Sequence, residues 1–235
     1  MIIIFDSGIG GFECAQKLTN NSAENEILYY ADTQNFPYGN KTNAQLREII
    51  TNAFKFFETK QPTQIIVACN TASSIIQEMC QEQINGFENG THHGAYNGIR
   101  IVDTLSTLNK IMDEESDLTV LCTKLTHDYL STRSTLSSGH KIIALPELAW
   151  LVEFQELDKI ADYIRSLVPA DTKKILYACT HYPLVHNIFA QTFNATFINP
   201  MDKMLASLAG ETYRLTFNDK NTSEKYKKIM QNHAN

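Results

Sequence analysis

Ile65-Ile66-Val67-Ala68-Cys69-Asn70-Thr71 and Ile175-Leu176-Tyr177-Ala178-Cys179-Thr180-His181 are two copies of one small unit, a hydrophobic run ending in a cysteine and two polar residues. Each run is short and apolar throughout, the pattern of a strand buried on both faces of a parallel sheet. The residues after each cysteine read as the start of a helix. Each thiol is therefore expected in the crevice where open α/β sheets bind ligands, at a helix N-terminus that favours thiolate over thiol. One such thiol in each half of the chain points to two acid/base groups working on opposite faces of one small molecule.

The pattern repeats outward from these units. Strand-like runs fall at Ile2 to Phe5, Ile27 to Tyr30, Gln64 to Ala68, Arg100 to Asp103, Leu118 to Leu121, Lys141 to Ala144, Lys174 to Ala178 and Thr196 to Ile198. Helical patterns lie between them, with a capping box at Thr42 and Gln45 opening Ala44 to Thr59, and Pro183 in the first turn after Cys179. This alternation predicts an α/β fold of two similar lobes, each a mostly parallel sheet flanked by helices, related by approximate two-fold symmetry. The stretch Gly86 to Gly98, with four glycines and the pair His92-His93, reads as an irregular loop crossing between lobes. The first lobe is thus expected over residues 1–92 and the second over 93–200. The C-terminal tail, 201–235, is expected to be helical and to pack back on the first lobe, its Lys/Glu alternation a solvated face.

The 235 residues, 43% hydrophobic and 20% charged, suffice for two lobes of about 100 residues each. A formal charge of -6 with no Lys/Arg block argues against a nucleic-acid partner. Met1 to Phe5 is too short for a secretory leader, and no apolar run has membrane-spanning length, so no membrane association is expected. Five cysteines without a CxxC pair argue against a disulfide framework and against zinc, and suit a reducing cytoplasm.

Several motifs carry chemistry. Asp6-Ser7-Gly8-Ile9-Gly10-Gly11 is a glycine-rich turn after a strand, whose amides would hold a carboxylate or whose glycines would let a helix pack closely. Asp6, at a strand end, is expected to face the crevice. Pro37-Tyr38-Gly39 is either a turn alone or a donor of backbone amides and one hydroxyl to a polar ligand. Cys14, Cys80 and Cys122 read as small buried apolar residues, whereas Cys69 and Cys179 read as reactive thiols. His181 stands where it would tune Cys179. His92-His93 is not a metal pair, and His127, His140, His186 and His233 read as surface residues. Glu153, one acid in an apolar helical stretch, reads by itself as a helix-edge charge.

With DSGIGG, PYG, ACNTAS and ACTHYPL in this order, the chain resembles the cofactor-independent glutamate racemases of the aspartate/glutamate racemase superfamily, closely over residues 1 to about 75 and 174–186. The resemblance implies two α/β lobes with the active site between them, no cofactor, no metal and glutamate as substrate. It also implies a cytoplasmic homodimer making D-glutamate for peptidoglycan. Cys69 and Cys179 match the family's catalytic cysteines, Asp6 the acid beside the first, and Glu153 and His181 the acid and histidine beside the second. Ser7, Pro37, Tyr38, Gly39, Asn70, Thr71 and Thr180 match substrate-holding positions, and Thr123 and Thr126 match the threonines of a GTxxT motif. The chain departs from the pattern at Cys122, Leu145, Val102-Asp103-Thr104 and Asn199-Pro200. Three other readings stand beside this one: an aspartate racemase, a hydrolase with Cys179 as nucleophile and His181 as base, and a non-catalytic amino-acid-binding protein.

Overall fold

The alternation of Ile2-Ile3-Ile4-Phe5 sets the layers of the first sheet: Ile2 and Ile4 face one hydrophobic core, Ile3 and Phe5 the other. The computed structural model describes residues 1–19, 25–83, 93–132, 139–208 and 213–233. Its strands are β1 (Ile2–Asp6), β2 (Glu26–Ala31), β3 (Gln64–Val67), β4 (His93–Tyr96), β5 (Ile99–Asp103), β6 (Thr119–Cys122), β7 (Lys141–Ala144), β8 (Lys174–Ala178), β9 (Thr196–Ile198) and β10 (Arg214–Phe217). They form a six-stranded sheet, β10-β2-β1-β3-β5-β4, and a four-stranded sheet, β7-β6-β8-β9. Every pairing is parallel except β4 with β5.

The stretches β2-β1-β3-β5 and β7-β6-β8-β9 share one strand succession, in which the second strand lies beside the first, then the third, then the last. This is the two-lobed α/β arrangement that the sequence predicts. In each lobe the order reverses between the first and third strands, so a crevice opens at the carboxyl ends of β1 and β3 and again at those of β6 and β8. The second sheet is layered like the first: Leu121, Ile175 and Tyr177 face one core, and Val120, Leu176 and Ala178 the other.

The structure moves the crossing between sheets. Tyr96 pairs with Ile99 across Asn97 and Gly98, both at positive φ (48° and 81°), so residues 93–103 form a tight hairpin on the edge of the first sheet. Asn-Gly is the pair that a two-residue turn of this hand prefers, a signal the irregular-loop reading passed over. β5 pairs with β3 from Gln64↔Arg100 to Val67↔Asp103, so the chain leaves the first sheet after Asp103 and not near residue 93. His92 and the rest of 86–92 lie outside the described residues, as does the side chain of Cys80.

The return crossing follows β9, and both crossings are helix caps. Asp103 accepts from the Ser106 N–H at 2.8 Å to open the helix Thr104–Glu114, and the Asn199 side chain accepts from the Met201 N–H at 3.1 Å to open Pro200–Ala206. The departures from the family pattern at 103 and 199 therefore sit at the two crossings between sheets. Beyond the second crossing, Met201, Met204, Tyr213, Tyr226 and Ile229 join the core that holds Ile2 and Ile4. This tail is not purely helical: β10 extends the first sheet beside β2 before the final helix Lys220–His233.

His140 also departs from its surface reading. It is buried, its Nδ1 accepting from the Leu118 N–H at 3.3 Å and its Nε2 donating to the Met112 carbonyl at 2.9 Å, a pairing that ties the start of β7 to the helix Thr104–Glu114. The capping box at Thr42 forms with Gln45 and starts the helix Asn43–Glu58. Among the described residues, no helix is long and apolar enough to cross a membrane.

Candidate active site

The carboxyl ends of β1, β3, β6 and β8 face one another across a narrow cleft. Ser7, Pro37, Tyr38, Gly39, Cys69, Asn70, Thr71, Thr123, Cys179, Thr180 and His181 line it, together with Phe36 and Ala149, which the sequence reading did not single out. Asp6, Thr126 and Glu153 stand behind this lining, each buried. The cleft is nearly closed, with about 10 Å³ of free volume, on the order of a single water.

Closure is drawn by polar groups that cross between lobes. Thr71 Oγ1 lies 2.9 Å from Thr123 Oγ1 and 3.4 Å from Thr126 Oγ1. Thr180 donates to Asp6 Oδ2 at 3.0 Å, and the Ile9 N–H donates to Glu153 Oε2 at 2.8 Å. The glycine-rich turn does hold a carboxylate, and it is the protein's own Glu153. Its glycines also allow the approach: a Cβ on Gly8 would lie 2.5 Å from Glu153 Oε2, and one on Gly10 would lie 2.8 Å from His181 Nδ1.

The two cysteines sit in unlike surroundings. Cys69 directly precedes the helix Asn70–Gln83, as the sequence suggests, and its Sγ lies 3.8 Å from Ser7 Oγ. Burial and the nearby Asp6 carboxylate push this thiol up all the same, against the helix N-terminus and Ser7. The expected bias toward thiolate is thus overturned at Cys69, because desolvation outweighs the helix end. Cys179 is followed not by an α-helix but by a tight 3-10 turn, Tyr182–Val185, and only then by the helix His186–Thr192. The buried Tyr182 hydroxyl donates to the Leu145 carbonyl at 3.0 Å, which anchors that turn to the second lobe's core.

His181 takes the place of a helix end beside Cys179. Burial works against its charge, but hydrogen bonding to Cys179 and Glu153 prevails and pushes it up to about 10. Glu153, far from a helix-edge charge, is 2% exposed and accepts from His181 Nε2 at 3.2 Å. Burial opposes its ionisation, but His181, the Ile9 amide and Lys225 together lower it to about 2. Asp6 shows the opposite balance: burial raises it to about 6, against His181, the Gly8 amide and Thr180.

Other residues in this network escaped the sequence reading. Asp32 follows β2 directly, the same strand-end position that marked Asp6, and it accepts from the Tyr38 hydroxyl at 2.6 Å and from Asn35 Nδ2 at 3.0 Å. The Tyr38 hydroxyl is thus engaged by Asp32. Lys225, assigned to a solvated face, donates to Glu153 Oε1 at 2.9 Å. No local pattern marks it, since the contact spans 72 residues of chain.

Among the described residues, no cluster of three or more His, Cys, Asp or Glu side chains is placed to hold a metal ion, and Cys14, Cys69, Cys122 and Cys179 are buried free thiols. No protein-family model matches the chain. The fold aligns with the crystal structure of glutamate racemase from Campylobacter jejuni, at a TM-score of 0.76 and 22% identity, covering 98% of each chain. It aligns equally with that of glutamate racemase from Francisella tularensis in complex with D-glutamate, at 0.76 and 21%, covering 98% of this chain and 93% of the other.

Two α/β lobes close over a shared cleft, with a thiol at the same strand end of each, and the relatives in sequence place the chain among the amino-acid racemases, a class of isomerase. In sequence the chain is 30% identical over 201 residues to glutamate racemase 2 of Bacillus subtilis, covering 80% of this chain and 72% of that protein. The chain belongs to the glutamate racemase family.

Proposed function

We propose that the protein interconverts L- and D-glutamate by a two-base proton transfer in which Cys69 and Cys179 serve opposite faces of the α-carbon. The observation that carries this reading is the pair of cysteines at equivalent strand ends, β3 and β8, opening on one cleft. An amino-acid α-proton is very weakly acidic, so a base must already be in place and the developing carbanion must meet fixed donors. Cys179 as thiolate, next to the His181 cation, takes the α-proton from one face. Cys69 as thiol returns a proton to the other, and the stereocentre inverts in one binding event. In the reverse direction the roles exchange, with Asp6 and Ser7 serving Cys69.

Asn70 Oδ1 is buried and has no hydrogen-bond partner among the described residues, which suits it to accept from the substrate ammonium. Ser7, Thr71, Thr123 and Thr180 supply hydroxyls for the carboxylates, with Thr126 behind Thr123, and Pro37, Tyr38 and Gly39 shape the wall opposite. The lobes must part to admit substrate, exchanging the Thr71–Thr123 bond for bonds to it. We assign residues 1–103 with 200–233 to one lobe and 104–199 to the other, moving through Asp103 and Asn199. In the cell the family reading makes the protein a cytoplasmic homodimer supplying D-glutamate for peptidoglycan.

Proton NMR of L-glutamate incubated with the protein in heavy water, with chiral analysis, tests the proposal. Loss of the α-proton signal with D-glutamate appearing is the expected result. Exchange with aspartate but not glutamate would overturn the substrate assignment. A covalent thioester found by mass spectrometry would favour the hydrolase reading instead.

A further inference from the structure

Glu153 is a junction of three parts of the chain. It closes the second-lobe helix Leu148–Glu153, takes the Ile9 N–H from the first-lobe turn at 2.8 Å, and takes Lys225 Nζ from the C-terminal helix at 2.9 Å. Its Oε2 also meets His181 Nε2 at 3.2 Å. Lys225 is itself held over two rings, Phe154 at 5.3 Å and Tyr226 at 5.5 Å from their centroids.

We infer that Lys225 is a positioning residue for the Cys179 half of the reaction: it locks the Glu153 carboxylate so that Oε2 stays on His181, and His181 stays beside Cys179. The inference rests on the proposed role of Cys179. An exposed ion pair would contribute little. Here the carboxylate is 3% exposed although the lysine is 44% exposed, so the bond aims a buried acceptor and is not merely a surface contact. Other titratable groups facing this junction are Asp6, Tyr29 and Tyr226. None is a cation that could replace Lys225. Among the described residues, Lys225 makes no hydrogen bond to Asp6, Ser7 or Cys69, so its loss should act mainly on the Cys179 face.

The test compares Lys225→Met, Lys225→Arg and, as a charge-matched control on the same helix, Lys228→Met, using α-deuterated L- and D-glutamate. Lys225→Met should lower kcat about tenfold with KM changed less than about twofold, and Lys225→Arg should recover most of the loss. The primary isotope effect should rise for one enantiomer only, the same one for which it rises in Glu153→Gln, while Lys228→Met behaves as the parent. An isotope effect that rises equally for both enantiomers, or an unchanged kcat in Lys225→Met, would overturn the inference with the racemase reading intact. A parent protein without α-proton exchange would instead remove the reading on which it rests.

Discussion

Beside Cys69 stands an acid, Asp6, raised by burial to about 6; beside Cys179 stands a base, His181, pushed up to about 10 by its bonds to Cys179 and Glu153. The strand orders are the same and the thiols occupy equivalent strand ends, yet burial and an acid hold the Cys69 thiol up in one half of the cleft, while a histidine pushed toward its charged form stands in the other. The proposed two-base inversion needs one thiol to lack the proton that the other holds, with the roles exchanging between the two directions, so each half must be able to support either state of its thiol. Common topology places the two groups, and local electrostatics makes them unlike.

The comparison breaks most severely if either thiol is removed. Cys69→Ala and Cys179→Ala should each lower racemisation by at least about a thousandfold, since neither half can be bypassed. A variant racemising at the parent rate would sink the two-base scheme. Next in size is Gly10→Ala, whose Cβ would press on Thr180 and His181. Forcing the lobes apart there should reduce kcat/KM by about a hundredfold, with near-normal activity in a steady-state assay counting against a closed catalytic state.

His181→Asn addresses one side alone. With His181 raised from 6.5 to about 10, the stability it contributes is fully present below pH 6.5 and is lost as pH rises through about 10. The variant should therefore lose stability at pH 7 and show a flatter alkaline limb in pH-dependent thermal melts. An alkaline limb identical to the parent's would contradict the ion pair with Glu153.

The smallest expected effect sharpens the contrast from the other side. Asp6 is raised from 3.8 to about 6, so its ionisation opposes folding, and the stability it provides below pH 3.8 is lost as pH rises through about 6. Asp6→Asn should raise the stability at pH 7 by up to about 3 kcal/mol while lowering activity, a trade of stability for function. Calorimetry showing destabilisation would mean that the Thr180 and Gly8 bonds outweigh the burial of charge.

Much of this was legible in the chain. The paired strand-cysteine units predicted the parallel sheets, because a strand buried on both faces must be apolar at every position, and that leaves a continuous run such as Ile2 to Phe5. Asp6 and Cys69 were legible for the same reason: polar residues at the ends of such runs fall in the crevice. The position of the crossing was obscured because the hairpin at Asn97-Gly98 lies in glycine-rich sequence, where backbone freedom hides the strand pattern. The C-terminal strand, Arg214–Phe217, is only half-buried at an edge, and edge strands carry a weak apolar signal.

The sequence by itself determined the layered α/β lobes, the two thiols at strand ends and the strand-end acid, because those follow from local periodicity and spacing. Only the tertiary structure decided that Asp6 stands by Cys69 and His181 with Glu153 by Cys179, and that Lys225, Glu153 and Ile9 meet at one point. Burial and Coulomb interaction depend on through-space distance, and residues 72 and 144 positions apart in the chain meet there only when the lobes and the final helix have packed.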